Sequence, residues 1–155
     1  MLDALAGRRT EAEQGFRAVL ELQPESADAL YALGLLVAED PRRLGESADL
    51  LSAAARAAPE VAVYHYNAGL AAQHQGERER AEQLLTKAVR LDPAEARYRE
   101  ALTIFFVQGE RWQDAWTEVV QLRMLVGDSA AVVRLENLIR SRLPGALNPD
   151  GRSKP

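Results

Sequence analysis

One spacing constrains this chain more than any other. Ala81-x3-Leu85-x2-Ala88-x4-Pro93 has the same frame as Ala12-x3-Phe16-x2-Val19-x4-Pro24 and Ser47-x3-Leu51-x2-Ala54-x4-Pro59. It also fits Ala115-x3-Val119-x2-Leu122-x4-Gly127, where Gly stands in the Pro place. Pro24, Pro59 and Pro93 are separated by 35 and 34 residues. Each frame repeats apolar residues at three and four positions, the period of an amphipathic helix. Each ends at a residue that stops one helix or starts the next. A unit of this kind cannot bury its apolar face alone, so it stacks on copies of itself.

The other half of the unit repeats as well. Leu30-x2-Leu33-Gly34-x2-Val37 matches His65-x2-Ala68-Gly69-x2-Ala72 and, more loosely, Arg99-x2-Leu102-Thr103-x2-Phe106. Between the halves of the third unit, Gln75-Gly76-Glu77 is a break, because Gly takes a left-handed residue at little cost. The second unit carries one extra residue in its turn, Glu39 to Glu46, and the fourth carries one fewer.

Together these halves resemble the tetratricopeptide repeat family, whose pattern is W-x2-L-G-x2-Y, then A-x3-F, then P, at a period near 34. The resemblance runs from Met1 to Gly127. The Trp slot departs from the pattern and holds Leu30, His65 and Arg99; Thr103 stands in the last Gly slot. The expected fold is all-α: a right-handed α-solenoid of antiparallel helix pairs over residues 1–143, with a C-terminal capping helix. Its parts are a partial repeat 1–26, repeats 27–60, 61–94 and 95–127, and the capping helix 129–143. In the first repeat, Met1 to Ala6 reads as the tail of a cut leading helix, Gly7 as a turn and Thr10 as the cap of a helix to about Gln23. Gly127-Asp128 reads as a stop and a cap. Ala131, Val132, Leu135, Leu138 and Ile139 then give the last helix its apolar face. Residues 144–155, with five Pro or Gly in twelve positions, read as a mobile tail.

Composition narrows the function. The chain has 155 residues, which fits one domain, and a net charge of −4 with no basic run longer than two. That argues against a nucleic-acid surface. Cys is absent, so there is no thiol chemistry, disulfide or Cys-based metal site. No apolar run approaches the roughly 18 residues of a membrane span. Met1-Leu2-Asp3 lacks the start of a signal peptide. The cytoplasm is the expected compartment; a trimmed leader would make it the periplasm or the exterior.

Nothing in the chain reads as catalytic, and no cofactor is expected. His65 and His74 are nine residues apart, where one helix face would need three or four to share a metal. The carboxylates sit among Lys and Arg as solvated helix faces. The glycines fall where repeat packing and turns put them, with no phosphate loop, and no Ser lies in a nucleophile elbow. Trp112 and Trp116 are one helical turn apart: Trp112 reads as packing, and Trp116 stays open between packing and an exposed aromatic platform.

The resemblance implies a protein-interaction module. In this family the leading helix of each pair lines a concave groove. Helical spacing places Tyr31, Leu35, Tyr66, Asn67, Leu70, Gln73, His74, Arg97 and Ile104 on that wall. Sizeable apolar surface rimmed by polar groups marks a binding site. The carboxylate clamp of some family members needs Lys, Asn and Arg on three successive leading helices. Only Asn67 and Arg97 match, so a clamp is not expected. An apolar or amphipathic peptide or helix of a partner fits the wall better. Two rival readings are a self-assembling scaffold and a regulatory fragment of a longer protein. For the first of these, Phe16, Val19 and Leu20 lie at an open N-terminal end. An end-to-end homodimer there competes with a frayed monomer.

Overall fold

The computed structural model describes residues 2–143, with side chains from Gly7 onward. The expected tail, 144–155, lies outside the described residues. Among the described residues there are eight α-helices and no strand. They are α1 (Leu2–Leu22), α2 (Ala27–Val37), α3 (Leu44–Ala57), α4 (Ala62–His74), α5 (Arg78–Leu91), α6 (Ala96–Gln108), α7 (Trp112–Val126) and α8 (Ala130–Arg142). The helices pack as sequential pairs, α2 with α3, α4 with α5 and α6 with α7. The all-α repeat expected from the spacing is the observed fold. The chain divides into two compact units, 1–92 and 93–155.

In the first unit, α1 departs from expectation. It is one unbroken helix through Gly7 and Thr10. A lone Gly in a helix costs about 1 kcal/mol relative to Ala. The flanking Ala4, Ala6, Arg8, Arg9, Glu11, Ala12 and Glu13 are helix formers that outweigh it. The extra residue of the second repeat is absorbed by a 3-10 turn, Pro41–Arg43, between α2 and α3. Asp40 caps that turn by accepting from the Arg42 N–H at 3.0 Å, and Pro41 occupies a first-turn position where no donor is needed.

The glycines of the leading helices allow the pairs to close. A Cβ on Gly34 would lie 2.9 Å from Leu51 Cγ, and one on Gly69 would lie 2.9 Å from Leu85 Cγ. Both leucines are buried. Gly therefore serves as a socket for the large residue of the following helix, which is why the pattern carries it. Ala54, Ala68, Ala81 and Ala88 are also fully buried and keep the helices close. Gly76, between α4 and α5, is left-handed with φ +79°. The Glu77 N–H reaches Ala72 O at 2.9 Å and the Gly76 N–H reaches Gln73 O at 3.0 Å. These two bonds are the Schellman pattern that closes a helix C-terminus.

The second unit builds its pair, α6 and α7, around Leu102, Thr103, Phe106, Ala115, Val119 and Leu122, all buried. Gly127 ends α7 with φ +70°. Ser129, not Asp128, caps α8: its Oγ accepts from the Val132 N–H at 3.3 Å. Asp128 instead pairs with Arg123 at 2.6 Å. The inward face of α8 also differs from expectation. Val132, Glu136 and Ile139 are buried, whereas Leu138 is exposed. Arg123 on α7 lies 3.3 Å from the Glu136 carboxylate, and a charge so buried has to be paired. Satisfying it sets α8 with the 132/136/139 face inward. Trp112 and Trp116 are half-buried. The Arg142 and Arg140 guanidiniums of α8 sit 6.0 and 5.3 Å from their ring centroids, a cation–π arrangement. Both indoles are thus covered by the last helix.

Candidate functional site

A cleft of about 220 Å³ opens in the first unit, lined by Leu35 and Ala38 of α2, Leu44, Ser47 and Leu51 of α3, and Asn67, Leu70, Ala71 and His74 of α4, with Gln75 at its edge. The repeat builds it directly. The leading helices α2 and α4 each present an outward Leu, Leu35 and Leu70, one turn from their buried rows. The insertion before α3 brings Leu44 to the same space. Of the residues expected on this wall, Leu35, Asn67, Leu70 and His74 line the cleft. Leu44, Ser47 and Leu51 were not foreseen. They belong to the trailing helix, and only the inserted turn signalled that its start differs from the other repeats.

Beside the cleft lies a polar cluster. Asn67 Nδ2 donates to the Val63 carbonyl at 3.0 Å and to the Tyr31 hydroxyl at 3.0 Å. The Tyr31 and Tyr64 rings stack tilted, with centroids 4.6 Å apart. The Tyr64 hydroxyl donates to the Asp28 carboxylate. Burial, reinforced by the neighbouring Asp28 carboxylate, pushes the Tyr64 phenol up to about 12, so it stays protonated and keeps donating. Tyr64 is a missed member of the site; its partner Asp28 lies 36 residues away. Tyr66 and Gln73 are half-buried on α4.

The remaining wall residues lie elsewhere. In the second unit, Arg97 is exposed on α6 and pairs with Glu95 at 2.9 Å. Ile104 is exposed on the same helix. At the N-terminal end, Leu20 packs on the core of the first unit and Phe16 is half-buried. Val19 is 41% exposed and Leu22, on the same helix, is 84% exposed.

The buried His65 is structural. Its Nε2 lies 3.0 Å from the Pro59 carbonyl, which can only accept, so the neutral ring carries its proton there. Nδ1 is buried with no partner. Burial, with Lys87 nearby, holds the imidazole below its ordinary pKa despite the Pro59 bond. No group of three His, Cys, Asp or Glu among the described residues could hold a metal ion. None of the described helices is long and apolar enough to cross a membrane.

Comparison with known proteins agrees with the geometry. No protein-family model matches the chain, and no curated protein matches it by sequence. Solved structures do match. MamA residues 41 to the end, from Desulfovibrio magneticus RS-1, is 28% identical, with TM-score 0.69 over 81% of this chain and 72% of that one. YrrB, a TPR protein with an unusual peptide-binding site, superposes at TM-score 0.77 and 18% identity over 90% of this chain and 72% of that one. The chain has the fold of tetratricopeptide repeat proteins. A third match is the first TPR of Spaghetti (RPAP3), bound to the HSP90 peptide SRMEEVD. It is 16% identical, with TM-score 0.67 over 74% of this chain and 90% of that chain. The likeness is one of fold: an all-helical repeat solenoid.

Proposed function

We propose that this chain is a non-catalytic interaction module that holds a peptide or helix of a partner protein against its leading-helix face. The observation that carries the reading is the cleft of the first unit, an apolar concavity with one oriented amide at its side. Such a combination of apolar lining and few placed polar groups is the usual form of a ligand site. YrrB and the RPAP3 domain, which share the fold, carry a peptide-binding site and a bound peptide. Within the first unit, Tyr31, Tyr66 and Gln73 extend the proposed surface beyond the cleft itself, while Arg97 and Ile104 are proposed contacts on the second unit's own leading helix.

Leu70 is exposed at the cleft, so Leu70→Glu should leave the fold intact while placing a charge where an apolar group would dock. Affinity capture with quantitative mass spectrometry, run on native and Leu70→Glu proteins, tests the reading. Partners retained by the native chain and lost by the variant support it. Partners retained equally by both place binding on another surface.

A second reading rests on α1. Val19 and Leu22 leave apolar surface in solvent at the N-terminal end, and with Phe16 and Leu20 they would form a self-complementary contact between two copies. Sedimentation of the native chain and of Val19→Glu, at tens of micromolar, separates a dimer through α1 from a monomer.

A further inference from the structure

We infer that α1 is a charge-held brace on one wall of the first unit's cleft, and that the seating of this helix and the order of that wall favour one another. As regulation of a binding cleft, this rests on the reading above.

What α1 lacks is a buried apolar row. The trailing helices α3 and α5 each have one: Leu51, Ala54 and Ala55 in the first, Ala81, Leu85, Ala88 and Val89 in the second. None of the described side chains of α1 is buried to that degree, and Leu20 packs only partly on the core. The helix is held by charge instead. Arg9 donates to the Leu36 carbonyl at 2.9 Å and pairs with Glu39 at 3.1 Å. Glu13 pairs with Arg43, and Arg17 with Glu46, each at 2.6 Å. Glu13 also meets Arg17 at 2.9 Å, and Arg43 meets Glu46 at 2.8 Å. These last four side chains close a ring of alternating charge between α1 and the start of α3. A single exposed pair contributes little, but a network in which each side chain is already held by two partners contributes more.

Each anchor of α1 stands next to a cleft residue in the chain. Leu36 and Glu39 adjoin Leu35 and Ala38; Arg43 and Glu46 adjoin Leu44 and Ser47. Ser47 ties the two halves of this wall together, its hydroxyl donating to the Gly34 carbonyl at 2.8 Å. Contacts as short as those of the ring hold only while the end of α2 and the start of α3 keep their places. A displaced wall therefore unseats α1, and an unseated α1 takes its ties away from the wall. Such coupling is reciprocal. With no buried apolar row to give up, α1 is also readily released. A partner that orders the wall seats the helix, and a helix already seated spares the partner that ordering.

The test is amide hydrogen exchange on the whole chain, read by NMR. Glu13→Arg with Arg17→Glu keeps the net charge of −4 and the pair within α1. It sets Arg against Arg43 and Glu against Glu46, and it changes no wall residue. Amides at positions 13–20, and the wall amides of Leu35, Ala38, Ser47 and Leu51, should exchange about tenfold faster, two weak pairs having become repulsive. The Leu85 and Val89 amides of α5 should keep their native rates. Adding Arg43→Glu and Glu46→Arg inverts the whole ring and should bring the native rates back. In the other direction, Ser47→Ala unties the wall without touching α1 and should speed exchange at positions 13–20. The inference is overturned if the wall amides keep their rates in the double variant, or if Leu85 and Val89 accelerate as much as the wall does. It is also overturned if the inverted ring restores nothing, or if Ser47→Ala leaves α1 unchanged. These outcomes leave the groove reading untouched. Partners retained by Leu70→Glu remove that reading and leave the coupling in place.

Discussion

The α4–α5 and α6–α7 hairpins share a backbone and differ in how they fill it. In the first, the turn residue with positive φ is Gly76; in the second it is Glu110, at φ 55°. The closing bonds are the same pair: Arg111 N–H reaches Phe106 O at 2.9 Å and Glu110 N–H reaches Val107 O at 3.1 Å. In the first hairpin Gly69 receives Leu85. In the second the equivalent positions are Thr103 and Val119, both buried. The socket has gained volume and the knob has lost it. The Thr103 hydroxyl turns back to the Arg99 carbonyl at 2.8 Å, so that hydroxyl is not stranded. His65 in one hairpin becomes Arg99 in the other, which pairs with Glu118 of α7 at 2.6 Å. The repeat thus conserves a sum of volumes and a polar slot with a partnered nitrogen, not residue identity; His65 Nδ1 and Arg99 Nε in that slot are buried without a partner.

The largest effect should come from removing the knob. Leu85→Ala is expected to cost about 2–5 kcal/mol, through lost transfer energy and the cavity left behind. Val119→Ala removes fewer carbons and should cost less. Denaturant titration of both variants checks the order, and equal losses would mean the two sockets are not graded by volume.

Filling the socket is next. Gly69→Ala puts a methyl 2.9 Å from Leu85 Cγ, and overpacking of this kind costs roughly 1–3 kcal/mol. The gain in helix propensity, about 1 kcal/mol, offsets part of it. Pairing the change with Leu85→Val should recover stability, because it copies the arrangement of the other hairpin. A double-mutant cycle with no coupling breaks the volume argument.

A smaller effect separates the hairpins by pH. The folded His65 pKa is lowered, so the unfolded chain takes up the proton first as pH falls. Its contribution is present above the ordinary histidine value of about 6.5 and is lost as pH drops below it toward the folded value. Thermal melts between pH 7.5 and about 5 should show this loss, and His65→Leu should remove that part of it. The equivalent slot of the other hairpin holds no histidine.

The smallest change should be a gain. A non-glycine residue in the left-handed region costs about 1–2 kcal/mol, and Glu110→Gly relieves it at an entropic cost in the unfolded chain. A net gain of about 0.5–1 kcal/mol is expected, read as a rise in melting temperature; a fall would show that Glu110 makes a contact worth more than its strain.

Much of this was legible from spacing. The frame positions Ala81, Leu85 and Ala88 fall on α5, Ser47, Leu51 and Ala54 on α3, and Ala115, Val119 and Leu122 on α7. Periodicity reports which face of a helix is apolar, and that suffices to stack repeats. It does not report side-chain hydrogen bonds made across repeats. Asn67 reads as a free amide until Tyr31, 36 residues away, is brought to its nitrogen. Leu138 faces outward and Glu136 inward for a similar reason: the partner of Glu136, Arg123, is on another helix. Gly7 failed as a turn signal because a glycine breaks a helix only where the chain must also reverse.

The seat of α1 has its own physical consequence. Arg9 donates to the Leu36 carbonyl and pairs with Glu39. Glu13 bonds Arg43 at 2.6 Å, and Arg17 bonds Glu46 at 2.6 Å. Arg43, then Arg17, hold the Glu13 carboxyl down to about 2. Much of the inner seam of this helix is therefore ionic, while Val19 and Leu22 on its outer side are apolar. Added electrolyte acts on the two sides in opposite directions. It screens partly exposed ion pairs, over a Debye length of about 8 Å at physiological ionic strength and about 3 Å at 1 M. Sulfate and phosphate at the same time favour apolar burial. Ionic strength thus becomes a control variable for the first helix, loosening its hold on its own chain while raising its affinity for any second apolar surface it meets.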